Sequence, residues 1–268
     1  MIPPASVVVV VPAHDERGTI GRTVDSVVRA LRHARRHRVV GPAAVRVMAH
    51  RCTDDTAQRA RARLRFVPGA QVLVDDTSST IGQVRDRGAR EGLARLPWSP
   101  HSSWVFSTDA DTCVPRDWVV RVLTAAGHHD AAAVVGLAAL DRFRGTPAAL
   151  TSYDDLVAAK MRLGDPLHQH DHVYGANLAV RADAYLGIGG FPHLPHGEDQ
   201  QLVERLVASG ARVLRTREIT VSTSGRLEGR AVDGLADLLR RLDEETPVSD
   251  GPNLGTTTGA RDSPDSAA

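Results

Sequence analysis

Apolar residues fall into two kinds of run along this chain. Ser6 to Val11 is β-branched and apolar almost throughout, as a strand covered on both faces requires, and it leads into the turn-like Pro12-Ala13-His14-Asp15-Glu16. Beyond it Ile20, Val24, Val27, Val28 and Leu31 recur at helical spacing with arginine and histidine on the remaining face, which predicts a crossover helix. The order then repeats. Val45 to Ala49 reads as a strand, Thr53-Asp54-Asp55 opens a helix, Gln71 to Val74 is a strand, and a helix runs near Ile81 to Leu93. Such alternation predicts an α/β domain whose central sheet is mostly parallel and flanked by helices.

Trp104 to Ser107 predicts a further short strand that delivers Thr108-Asp109-Ala110-Asp111, with Pro115 in the first turn of a helix containing Trp118, Val119 and Leu123. The acidic tripeptide therefore lies at a strand's carboxyl end, where open α/β sheets bind ligands. Ala132 to Leu137 continues the sheet. Arg142 to Val173 reads as less regular, an acceptor-side lid with a helical candidate only near Leu156 to Met161. An amphipathic helix follows Glu198-Asp199, carries Leu202, Val203, Leu206 and Val207, and stops at Gly210. Short strands are expected near Val213 and Val221. From Thr246 the chain is polar without periodicity, so the expected division is one domain over 1–245 and a disordered tail over 246–268.

The 268 residues suffice for one large core. Thirty-three basic residues against thirty-two acidic ones give no overall charge with which to grip nucleic acid or an anionic membrane. Cys52 and Cys113 are too few for a disulfide scaffold or a zinc ribbon. The apolar runs Val7 to Val11 and Ala131 to Leu140 are far shorter than the ~20 residues of a membrane span. The first also lacks the flanks of a secretory leader, so a cytoplasmic protein is expected.

Asp109 and Asp111 can present hard oxygen ligands to a divalent ion, Mn2+ or Mg2+, that bridges a diphosphate. Glu198 and Asp199 open a helix whose dipole favours ionised carboxylates, and Asp199 is placed to take a hydroxyl proton. Arg85, Arg226 and Arg230 offer bidentate hydrogen bonds to phosphate oxygens. His168, His170 and His172, with Asp171, permit a zinc reading, but without a Cys cluster or an HExxH pattern they are read as acceptor-site or surface histidines. Asp54 and Asp55 are read as helix-capping carboxylates.

The run Val-Val-Val-Pro-Ala-His-Asp-Glu, then Ser107 to Asp111, Gly189-Gly190-Phe191 and Gly197-Glu198-Asp199, stand in the order seen in family-2 glycosyltransferases, and over about residues 5 to 230 the chain resembles that family. The resemblance implies a single GT-A domain and a nucleotide-diphosphate sugar donor. It places Pro12, Ala13, His14 and Glu16 beside the nucleoside, Asp109 and Asp111 at metal and diphosphate, and Asp199 at the acceptor as general base. Glu198 stands beside it. His172, Tyr174, Asn177 and Gly190 would belong to the acceptor wall. One departure concerns the base: where the family carries an aspartate that reads it, this chain has His50. The Gln-x-x-Arg-Trp motif of polymerising members is missing after Asp199, which implies a non-processive enzyme. A sugar-phosphate nucleotidyltransferase would need a glycine-rich loop after the first strand, and Pro12 to Arg17 is not one. A dinucleotide oxidoreductase would need a G-x-G-x-x-G there. A catalytically silent nucleotide-sugar-binding module of the same fold is the remaining alternative.

Overall fold

Both faces of one central sheet are covered by helices in the computed structural model, which describes residues 4–97, 99, 101–229 and 234–245. The alternation begins with β1 (Ala5–Ala13), α1 (Ile20–Arg36), β2 (Val40–His50), α2 (Thr56–Leu64), β3 (Ala70–Asp75), α3 (Ile81–Ala94), β4 (Ser103–Ser107) and α4 (Trp118–His129). It continues with β5 (Ala133–Asp141), α5 (Pro147–Ala159), a 3-10 turn (Gly175–Asn177), β6 (Leu178–Arg181), α6 (Ala182–Gly187), α7 (Glu198–Ala208), β7 (Val213–Ser224) and α8 (Leu235–Glu245). The strand order is β3-β2-β1-β4-β6-β5-β7. All neighbours are parallel except β6, which runs antiparallel to both β4 and β5. The expected tail, 246–268, lies outside the described residues.

The period-2 alternation of a strand divides the core. Val7, Val9 and Val11 face one way and join Val45, Val47, Phe106 and Trp118 under α1, α2 and α4. Val8 and Val10 face the other way, with Met48, Val105, Leu178 and Leu202, under α3, α6 and α7. Helix α3 lies close on this second face: a Cβ at Gly88 would stand 2.7 Å from Val10, and one at Gly92 would strike Val8. Full burial of both faces of β1 is why its sequence is continuously apolar.

Four expectations change in detail. The segment after Arg142 holds a 13-residue helix, α5, that begins at Pro147, rather than a short helix confined to Leu156 to Met161; Thr146 caps it by accepting from the Ala149 N–H, Pro147 opens it, and it packs against α8. The strands expected near Val213 and Val221 form one strand, with the register shift falling opposite, between Val135 and Leu137. Pro115 precedes α4 instead of opening it; its carbonyl accepts from the Trp118 N–H at 3.1 Å. Helix α2 starts at Thr56, with Asp54 turned back to receive the Thr56 N–H. Among the described residues no helix is long and apolar enough to cross a membrane. The α1–α2 stretch, 20–66, carries twelve arginines and three aspartates, a formal +9, leaving −8 for the rest of a chain whose net charge is +1.

Candidate active site

The carboxyl ends of β1, β2 and β4 open on one edge of the sheet, and β6 enters at that edge because it runs the other way. Asp109 and Asp111 follow β4 there. Glu16 follows β1 and is buried, and Arg226 follows β7. The Arg226 guanidinium grips both oxygens of Glu16, with Nη1 to Oε2 at 2.9 Å, and its Nη2 lies 3.2 Å from Asp111 Oδ2. Burial first, and then the nearby carboxylates of Asp109 and Glu16, push the Asp111 carboxyl up to about 7 against the opposing pull of Arg226. The site therefore holds more negative charge than its guanidinium relieves.

Arg85 stands beneath this cluster. Its guanidinium donates from Nε to Glu198 Oε1 at 2.9 Å, from Nη2 to Asp109 Oδ1 at 2.6 Å, and from Nη1 to Ser107 Oγ and, at 3.4 Å, to the Gly175 carbonyl. Burial works against its charge, but Asp109 and Glu198 more than offset that and hold the group protonated. Burial raises the Glu198 carboxyl, Asp199 adds to the rise, and Arg85 counters it. The structure thus places Arg85 between the carboxylates of Asp109 and Glu198, with each nitrogen already engaged by protein, rather than extended towards a ligand.

Asp199, at the start of α7, is half-buried. Its Oδ2 accepts the Gly175 N–H at 2.6 Å and its Oδ1 the Gln200 N–H at 2.8 Å. The 3-10 turn that begins β6 therefore orients it. Two partners here, Ser107 and Gly175, carry no site role in the sequence reading; the one signal is that Ser107 is a serine closing a fully buried strand.

The remaining expected residues divide by what their polar atoms do. Pro12 and Ala13 are the last residues of β1, with side chains buried. His14 and His50 sit at the open edge. Asn177 is buried and fully engaged: Oδ1 accepts from Trp118 Nε1 at 2.9 Å, and Nδ2 donates to the Leu137 and Ile219 carbonyls. It holds β5, β7 and α4 together. His172 stacks on Tyr174, with ring nitrogens 3.0 Å from the Tyr174 hydroxyl and 2.9 Å from the Val157 carbonyl, so this pair pins α5. Gly190 has φ +84°, and a Cβ there would strike Asp86 Oδ1. Arg230 lies outside the described residues.

The three histidines of the zinc reading do not converge. His168 bonds Asp171, while buried His170 directs its two ring nitrogens at the carbonyls of His172 and Thr216. Among the described residues one group of three possible ligands lies close together, Asp15, Cys52 and Asp54. Its aspartates are spent on the N–H groups of Thr53, Asp54, Thr56 and Arg17, which is how the β1 and β2 loops hold each other.

This sheet order, one reversed strand and the acidic edge beside it define the GT-A fold. No family model matches the chain, and no curated protein matches it at the sequence level. Solved structures do match in fold. S. aureus TarS 1-349 in complex with UDP-GlcNAc superposes with TM-score 0.60 at 15% identity, over 88% of this chain and 65% of that one. The mannosyltransferase PcManGT from Pyrobaculum calidifontis, in complex with GDP-Man and Mn2+, gives 0.61 at 16%, over 88% and 68%. GalNAc-T7 with UDP, GalNAc and Mn2+ gives 0.61 at 16%, over 90% and 48%. The chain thus spans less than two thirds of the TarS and GalNAc-T7 chains.

Proposed function

We propose that the chain is a non-processive family-2-type glycosyltransferase that moves a sugar from a nucleoside-diphosphate donor to an acceptor hydroxyl with inversion at the anomeric carbon. The observation that carries this reading is the pairing of two carboxylate sets at one sheet edge. Asp109 and Asp111 stand with Glu16 on the donor side, Glu198 and Asp199 stand on the acceptor side, and one buried arginine joins them. Solved neighbours of the same fold carry UDP-GlcNAc, GDP-Man, or UDP with GalNAc, and two of them Mn2+.

The donor set fits a divalent cation, because its ligands are hard oxygens and a carboxylate surplus surrounds Asp111. Asp111 and Asp109 would hold it; bound there, Mn2+ or Mg2+ neutralises charge growing on the leaving diphosphate. Arg226 leans on the same carboxylate, and its guanidinium would pair with the diphosphate there. Asp199, fixed by two N–H groups, keeps lone pairs for the acceptor proton. As the acceptor oxygen bonds the anomeric carbon, its proton passes to Asp199. The bond to the diphosphate oxygen breaks, and its electron pair leaves with the nucleoside diphosphate.

Calorimetric titration with a panel of nucleoside diphosphates, in Mn2+ and again in chelator, tests the reading. Binding that needs the cation is expected. Equal affinity in both conditions would remove the metal-held donor site.

A further inference from the structure

Two imidazoles line the donor edge on the side away from Asp199, and the backbone fixes which nitrogen of each carries the proton. His50 Nδ1 lies 2.9 Å from the Asp75 carbonyl oxygen, and His14 Nδ1 lies 2.8 Å from the His50 carbonyl oxygen. A carbonyl oxygen can only accept. In each neutral ring Nδ1 is therefore the donor, which leaves Nε2 as a bare acceptor. The rings stand 6.2 Å apart with a 48° tilt; His14 is exposed and His50 half-buried. Among the described residues neither Nε2 has a hydrogen-bond partner.

Position decides what those acceptors meet. Asp109 and Asp111 mark the diphosphate end beyond β4, and Asp199 with Gly175 occupies the β6 side of it. In the opposite direction the sheet continues through β1 and β2, so the two histidines lie one and two strand spacings from β4, about 5 and 10 Å. A donor anchored by its diphosphate, with its sugar towards Asp199, has only that side left for its nucleoside.

Resting on the donor site proposed above, we infer that His14 and His50 select the nucleobase through two imidazole acceptors, and so favour bases whose pairing edge carries a ring N–H. Uracil, thymine and guanine have one. Cytosine and adenine present a bare ring nitrogen at that position, which would set acceptor against acceptor and leave both desolvated without a bond. A site built to accept a ring N–H rejects the analogue that lacks it more strongly than a shape-selective pocket does.

The test is calorimetry on the full chain with UDP, GDP, CDP and ADP, each with Mn2+, and with Mn2+-pyrophosphate as a base-free probe. UDP or GDP is expected to bind at least about tenfold more tightly than CDP and ADP. In His50→Ala and in the double variant His14→Ala/His50→Ala that preference should collapse to within about threefold, while pyrophosphate affinity and melting temperature stay unchanged. His50→Asp, which again offers only acceptors, should retain the preference. CDP or ADP binding as tightly as UDP and GDP, or a preference that survives the double variant, overturns the inference and leaves the transferase reading standing. If none of the nucleotides binds, both fall.

Discussion

Two backbone N–H groups hold the Asp199 carboxylate, so Asp199→Asn keeps the shape and one of those bonds while removing the base. Turnover should drop by ~10² or more with donor affinity within a few-fold, the mark of a group that acts in the transition state. Steady-state rates and donor titration on the same variant check it, and near-normal transfer would reassign the base. Asp75 shows a carboxylate working for stability instead. Burial would raise it, but hydrogen bonds from Ser78 and Thr77 outweigh burial and bring it to about 2, against a usual 3.8. A lowered folded value means that the unfolded chain binds more protons between those limits. The stabilisation, about 2 kcal/mol, is thus complete above pH ~4 and is lost as pH falls through 2. Asp75→Asn should lower the unfolding free energy by that amount at pH 7, and urea titrations should show the gap to wild type shrinking by pH 3. A gap that is the same at both pH values would place the effect in packing rather than charge.

A single guanidinium fastens α3 to the end of β4, to the turn before β6 and to the start of α7. Arg85→Met leaves Glu198 buried without its partner, so about 3–5 kcal/mol of stability should be lost. Adding Glu198→Gln should return part of it, with an interaction energy above ~0.5 kcal/mol in a double-mutant cycle from urea unfolding. Additive losses would mean that the two side chains do not stabilise each other. That arrangement was not legible in the sequence, because Arg85 and Glu198 are 113 residues apart and nothing in either segment points to the other. The elements that could be read were those with unbroken patterning: β1, β2, β4 and α1 each declare their burial in their own residues. Helix α5 was underestimated because Asp154-Asp155 interrupts its apolar spacing, although Thr146-Pro147 is a legible start signal. The four residues of β6 are too few to show a period. Strand β7 looked like two because Thr216, Arg217 and Glu218 break its apolar run; an edge strand tolerates such polar residues. Asp109, Asp111, Glu198 and Asp199 were legible as candidates because close spacing at element ends is a local property.

At the scale of the whole molecule, near-neutrality conceals a separation of charge. The +9 of residues 20–66 lies largely on α1 and α2, which share one layer over the sheet. Exposed charges on such a layer act together within a Debye length, about 10 Å at 0.1 M salt. The protein should therefore be retained on a cation exchanger at pH 7.5 and low salt despite a formal net charge of only +1 at pH 7. Arg29→Glu/Arg32→Glu/Arg36→Glu should elute earlier than a triple reversal of equal charge placed elsewhere, and identical elution of the two triples would show that only net charge matters. The reversed strand carries a different consequence, for what can be exchanged rather than for energetics. Because β6 enters the sheet where β4 leaves it, the edge that carries Asp109 and Asp111 comes mainly from residues before 112, and the opposite wall with Asp199 from residues after 141. On the function proposed above, the stretch between β5 and β6 can be lengthened, shortened or replaced to admit a different recipient while the strand ends before 112 stay as they are.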